Sequence, residues 1–319
     1  MELSLNPAWS IRGHNPLVLS SETSTLSIKL LPGQLAMVLE LLQGWRHGAQ
    51  PDLEDLRNEL VSRGALRPVA ISPSPGQDRQ VQYWRAFTDD AGSAVSRLRA
   101  ATVAIAGVGG VGSVALQHLV GAGVCNFRLL DADIVDASNL NRQFIYSASA
   151  VGALKVEEAR LYVTKRESCG DVSVLAESWN PESSDQRRLL FRGVDFVLAA
   201  VDRPSIDSSM QILDSAWAAG VPAVLATVGL DRSLVSQVFD PSVSSNSPRE
   251  ALRVNPAIPR APFLASHGPS NTIPATIAAD QILHHIAGIT GRVDFQRPLV
   301  ILRSPDGAPT STRVDQVQL

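Results

Sequence analysis

Apolar and polar positions alternate along this chain with two periods, and the clearest stretch lies between residues 102 and 143. Val103 to Ala106 is an apolar run bounded by glycine, which predicts a buried strand of a parallel sheet. Gly107, Gly109, Gly110 and Gly112 follow at once, and Val114, Leu116, Leu119 and Val120 then recur at helical spacing. A second apolar strand, Phe127 to Leu130, ends in Asp131. Downstream the pattern predicts a helix carrying Lys155, a strand over Val172 to Ala176, and a central strand over Val194 to Val201, bounded by Gly193 and Asp202. A helix from Ile206 to Ala219, strands over Val221 to Val228 and Val235 to Phe239, a helix over Ile273 to Ile286, and a hairpin built from Leu299 to Arg303 and Ser311 to Val317 complete the series. Residues 240–272, rich in Pro, Ser and Asn, read as an irregular excursion. Strands alternating with helices predict an α/β fold with a doubly wound, mostly parallel, Rossmann-like sheet.

The first 70 residues follow a different rhythm. Ile11 to Ser20 and Leu26 to Leu30 read as short strands around the polar turn Ser20 to Ser24. Pro32-Gly33 breaks the chain, Leu35, Val38, Leu39 and Leu42 form a helical stripe, and a second helix is predicted from Asp52 to Arg63. Strands plus short helices predict a small winged-helix-like domain. Ser72 to Asp78 is a linker by composition. Two domains follow, residues 1–75 and 76–319.

Composition narrows the functional classes. Of 319 residues, 45% are hydrophobic and the formal net charge is −3, so bulk charge gives no reason to expect a nucleic-acid partner. No apolar run of about 18 residues predicts a membrane span, and the N-terminus lacks the basic start and apolar core of a signal peptide. Cys125 and Cys169 are the two cysteines, too few for a four-thiolate zinc site. A cytoplasmic setting with reduced thiols is expected.

The glycine turn is where chemistry enters. Strand, glycine turn and helix together let backbone amides approach a phosphate, and the helix N-terminus favours its charge. An acid at the tip of the next strand, here Asp131, suits a ribose hydroxyl. On residues alone this reads as a nucleotide site, with a dinucleotide-binding dehydrogenase and a packing-driven turn without ligand as alternatives. No dehydrogenase chemistry is visible downstream.

The order GVGGVGS, then LLDADIVDASNLNRQ, then Lys155, then the strand end Ala199-Ala200-Val201-Asp202, resembles the ThiF/MoeB adenylyltransferase family, whose fold is shared by the enzymes that activate ubiquitin-like proteins. Arg142 lies 11 residues beyond Asp131, and Lys155 lies 13 beyond Arg142, as in that family. The resemblance covers residues 80 to 240 well and the C-terminal part loosely. It implies that Gly107, Gly109, Gly110 and Gly112 face ATP, that Asp131 holds the ribose, that Arg142 and Lys155 contact phosphates, that Asn139 belongs to the same site, and that Asp202 holds Mg²⁺. An arginine near the start of the family's domain reaches a phosphate, often in a neighbouring subunit, and Arg85 is the candidate here. The chemistry suits these groups. A carboxylate is already an anion at neutral pH and needs no base. Bringing it against an anionic α-phosphate needs cations and Mg²⁺.

The departures point toward peptides. The two Cys-x-x-Cys pairs that hold structural zinc in many members are absent, so no zinc is expected, and neither cysteine stands where a transfer cysteine would. Asp202-Arg203-Pro204 resembles the microcin-type adenylyltransferases, which modify a peptide. Residues 1–75 resemble the PqqD-like elements that bind a leader peptide as an added strand. Structural packing and DNA binding are the other readings of this module; the acids of Asp52 to Arg63 disfavour phosphate. The expected activity is ATP- and Mg²⁺-dependent adenylylation of a precursor-peptide carboxylate by a homodimer. The rival is a leader-binding scaffold that serves a YcaO-type cyclodehydratase without using ATP, and a third reading is activation of a small sulfur-carrier protein. His284 and His285 are neighbours on a predicted helix and cannot face one metal, and His267 stands in the irregular excursion.

Overall fold

The computed structural model describes residues 1–70, 76–166, 170–201, 206–229, 232–253, 265–289, 297–303, 309–313 and 317–318. The chain divides into two compact units, residues 1–96 and 97–319.

The first unit is richer in sheet than its pattern predicts. Strand β1 (Glu2–Leu5) is followed by β2 (Ser10–His14), β3 (Leu17–Ser20), β4 (Thr25–Ile28), α1 (Gln34–Leu41), β5 (Trp45–Arg46), α2 (Glu54–Ser62) and β6 (Leu66–Pro68). The expected single strand over Ile11 to Ser20 is two strands, because Asn15-Pro16 turns the chain and β2 folds back on β3. Proline cannot supply a ladder donor, so the run breaks there. The strands β2, β3 and β4 form an antiparallel meander, and β1 lies between β5 and β6 in a second antiparallel sheet. Leu3, Leu17, Leu19, Val38, Trp45 and Leu60 meet in one core. Helix α3 (Asp78–Arg85) closes this unit, and α4 (Ala91–Ala100) runs across the junction.

The second unit is the doubly wound sheet. In chain order its elements are β7 (Thr102–Ala106), α5 (Gly110–Gly121), β8 (Asn126–Leu130), α6 (Lys155–Arg166), β9 (Val172–Leu175), α7 (Ser184–Phe191), β10 (Phe196–Ala199), α8 (Ile206–Ala218) and β11 (Ala223–Val228). They are followed by β12 (Arg232–Val235), α9 (Pro248–Ala251), β13 (Leu252–Arg253), α10 (Gly268–Ile286), β14 (Leu299–Arg303), β15 (Pro309–Arg313) and β16 (Val317–Gln318). The spatial order is β15-β14-β12-β11-β10-β7-β8-β9, with the five strands from β11 to β9 parallel and the other three antiparallel. Strand β12 begins three residues before the expected start, and Phe239 only bridges back to Ala223. The last residues of the expected closing hairpin behave differently: β16 pairs with β13, and residues 314–316 lie outside the described set.

Alternate residues of the central strands serve the two faces. Ala104, Ala106, Val197 and Ala199 join Leu190, Phe191, Leu213 and Ala216 of α7 and α8 in one core. On the other side α10 packs on α5, β11 and β12, and His285 of α10 meets the Phe196 ring edge-on. The order in which the chain winds through the sheet reverses between β7 and β10, and in such sheets the crevice beyond the strands' carboxyl ends at that reversal is where ligands bind. No helix among the described residues is long and apolar enough to cross a membrane.

His284 of helix α10 forms a pH-sensitive pair with Asp280. Burial pulls the His284 pKa down, but the Asp280 carboxylate, 3.2 Å from Nδ1, more than offsets this and leaves it above the ordinary value. A raised histidine pKa stabilises the fold fully below the unfolded value of about 6.5, and this is lost as pH climbs through the folded value. Asp280→Asn is therefore expected to lower the denaturation midpoint at pH 5.5 and to leave it nearly unchanged at pH 8.5, as measured by urea unfolding.

Candidate nucleotide-binding site

The glycine turn lies where β7 ends beside β10. Gly107 adopts φ +90°, a left-handed conformation that side chains resist, and a Cβ there would come within 2.5 Å of the Ala200 carbonyl oxygen. A Cβ on Gly112 would sit 1.8 Å from Gly107 O, so the turn closes on itself only without side chains. Gly109 caps α5, and Gly110 is its first residue. The backbone is thus bare at a helix N-terminus, the arrangement that lets phosphate oxygens approach amides.

Asp131 ties this turn to the rest of the site. Its Oδ2 accepts the Val108 N–H at 2.7 Å and its Oδ1 accepts the Asp133 N–H at 2.8 Å. Burial pushes the carboxyl above the usual carboxylate range, against the pull of the Lys155 charge and the two N–H donors. Lys155 opens α6 and is 5% exposed. Its Nζ donates to Asp133 Oδ2 at 2.8 Å, and its backbone N–H donates to Asp133 O at 3.0 Å. The two segments are held in register by the antiparallel bridge between Ile134 and Leu154. A buried ammonium therefore sits against the Asp133 carboxylate just after β8, near enough for its charge to act on Asp131.

Asn139 and Arg142 lie in the loop that follows. Asp136 and Asn139 form a reciprocal cap, with Asn139 Oδ1 accepting the Asp136 N–H at 3.1 Å. Asn139 O accepts the backbone N–H groups of both Arg142 and Gln143, which fixes the turn that carries the arginine. The half-buried Arg142 side chain lies along its own loop, with Nη1 donating to Ser138 O at 2.8 Å and to Asn141 Oδ1 at 2.9 Å. Gly107 to Gly112, Asp131, Asn139, Arg142 and Lys155 thus all follow the carboxyl ends of β7 and β8. The last described residue after β10, Val201, exchanges hydrogen bonds with Ser209. Asp202 lies outside the described residues, as does Cys169. Among the described residues no group of three metal-donor side chains exists.

Arg85 is engaged elsewhere. It is 4% exposed, and its Nε donates to Pro68 O, its Nη1 to Gln82 Oε1, and its Nη2 to the carbonyls of Ser4 and Arg67. Burial, and then the Arg67 charge, pull its pKa below the ordinary value. These bonds tie the Arg85 guanidinium to the first unit's own chain. Cys125 is buried just before β8, at the amino edge of the sheet.

Three residues of the site escape a reading by motif. Asp133 reads as a turn acid and is the partner of Lys155. Tyr146 is buried, its hydroxyl donates to Val108 O at 2.7 Å, and burial drives its pKa far up. Gln143 is 2% exposed, approaches Gly109, and its Oε1 finds no donor among the described residues. An unpaired buried acceptor costs about 1–3 kcal/mol, and a ligand hydroxyl or amine would satisfy it. The signal for all three is the D-x-D and R-Q-x-x-Y spacing, which has meaning only once the loop is folded.

The site's residues therefore fit a nucleotide: bare backbone for phosphate, an acid for ribose, and two cations. Comparison with known proteins agrees. A model of the ThiF family matches residues 77–316. The adenylyltransferase and sulfurtransferase UBA4 of Yarrowia lipolytica is 35% identical over 130 residues, 41% of this chain and 31% of that protein. UBA4 of Pyricularia oryzae is 38% identical over 109 residues, 34% of this chain and 22% of that protein. The chain thus spans less than a third of the length of these curated relatives. Among solved structures, Escherichia coli MccB with AMPCPP and MccA matches with a TM-score of 0.78 and 17% identity, covering 99% of this chain and 98% of that one. PaaA matches with a TM-score of 0.75 and 19% identity, covering 97% and 98%. At these identities the structural likeness establishes the fold. With three quarters of its length matched by the family model, the chain belongs to the ThiF family.

Proposed function

We propose that the protein is an ATP- and Mg²⁺-dependent adenylyltransferase that activates a carboxylate of a ribosomally made precursor peptide. The observation that carries this reading is the buried Lys155 ammonium at the end of β8, beside Asp131 and the bare glycine turn. A carboxylate oxygen of the peptide attacks the α-phosphorus of ATP. The bond from that phosphorus to the bridging oxygen breaks, and pyrophosphate leaves with the electron pair. Asp131 would accept ribose hydroxyls, and Lys155 and Arg142 would offset the charge that gathers on the phosphates. Asp202 is the proposed holder of Mg²⁺, which when bound neutralises phosphate charge. MccB, crystallised with ATP and with MccA, supports a peptide substrate for this fold. The UBA4 relatives keep carrier-protein activation as a further outcome.

The N-terminal module, residues 1–75, would grip a leader peptide in the PqqD-like manner. The outer edge of β4 has no strand partner among the described residues and bears neither proline nor bulge. Such an edge accepts an added strand through its main chain. A homodimer is part of the proposal, as is a pathway enzyme of YcaO type if the protein is a scaffold.

Pyrophosphate–ATP exchange with candidate peptides decides between them. Wild-type protein is expected to show peptide-dependent exchange that Lys155→Ala lowers about 100-fold or more; peptide binding without exchange or nucleotide affinity would favour the scaffold. Hydrogen exchange tests the leader assignment: peptide addition is expected to slow exchange of the amides over Thr25–Ile28, and unchanged rates there would contradict it.

A further inference from the structure

Asn271 lies in the first turn of α10 and is 5% exposed. Its Nδ2 is committed on its own side, donating to Ser266 Oγ at 2.7 Å, His267 O at 2.8 Å and Ser270 Oγ at 3.1 Å. That commitment turns Oδ1 toward the glycine turn. A Cβ on Gly110 would fall 2.0 Å from Oδ1 and 2.7 Å from Cγ, so the amide rests directly on the first residue of α5. The same segment also touches the N-R-Q loop. Asn141 Nδ2 donates to Ser266 O at 3.1 Å, and a Cβ on Gly268 would meet Phe144 Cζ at 3.1 Å and Asn141 O at 3.2 Å. The start of α10 is therefore wedged between the two loops that form the candidate nucleotide site.

We propose that Asn271 is a positioning residue of the nucleotide site, fixing the standoff between α10 and the α5 end of the glycine turn so that the turn's amides stay open to a triphosphate. The inference rests on the nucleotide reading above. The residue type is apt on physical grounds. A neutral amide oxygen is favoured at the positive end of α5, whereas a carboxylate there would repel the phosphates. The three acceptors shared by the two Nδ2 hydrogens hold the amide in one orientation, which a hydroxyl or an apolar side chain would not achieve. Gly110 is the matching half of the contact, because any side chain there collides with the amide.

Calorimetric titration of the full chain with ATP and Mg²⁺ tests this through a double-mutant cycle. Asn271→Ala is expected to raise the ATP Kd at least 10-fold, and Gly110→Ala to raise it further. The double variant is expected to bind more tightly than Gly110→Ala alone, because the collision is gone. A role confined to stability would lower the melting temperature without that recovery. If Asn271→Ala fails to fold, Asn271→Ser takes its place in the cycle. An ATP Kd for the single variant within 2-fold of wild type, or a double variant as weak as the two effects multiplied, would overturn the inference while leaving the adenylyltransferase reading intact. Absence of ATP binding by the wild type would sink both.

Discussion

The second unit is organised around a half-buried carboxylate, Asp131, that must be satisfied. Asp131 directly follows β8, where partial burial makes its charge costly unless it is hydrogen-bonded and paired. Three segments meet to satisfy it: the glycine turn through Val108 N–H, its own loop through Asp133 N–H, and α6 through the nearby Lys155 charge. Lys155, buried as well, is in turn held by Asp133. Tyr146 fastens the same turn from below by donating to Val108 O. The contacts that satisfy this acid thus also fix the glycine turn, the loop after β8 and the start of α6 relative to one another.

Close backbone approaches explain the demand for glycine. The β7–β10 reversal brings the Ala200 carbonyl against Gly107, and the first turn of α5 brings Gly112 against Gly107 O. Backbone approaches this close leave amides facing outward, where only an electron-rich ligand or a solvent molecule completes them. Arg142 lies on the rim with its guanidinium on its own loop, a position from which it reaches outward more easily than the buried Lys155 does.

Much of this was legible in the sequence, because its signals were local. The apolar runs at Val103 to Ala106 and Phe127 to Leu130 predicted the centre of the sheet, and the glycines between them and the spacing to Arg142 and Lys155 named residues that the fold places beyond the carboxyl ends of β7 and β8. What was not legible depended on distant partners. Ile11 to Ser20 read as one strand because a turn at Asn15-Pro16 does not disturb the apolar rhythm around it. Asp133 looked like a turn acid because its partner is 22 positions away, and Asn271 gave no signal because Gly110 is farther still. Arg85 was named by its position, and its bonds to the carbonyls of Ser4, Arg67 and Pro68 gave no signal because only folding brings those groups together.

The central claim is that Asp131 and the glycine turn form a working nucleotide site. Its most direct test is calorimetric titration of wild type and Asp131→Asn with ATP and Mg²⁺, with unfolding followed in parallel. One saturable site in the wild type, weakened at least 10-fold in a folded Asp131→Asn, is the predicted result. No saturable binding in the wild type, or equal affinity in both proteins, would contradict the account.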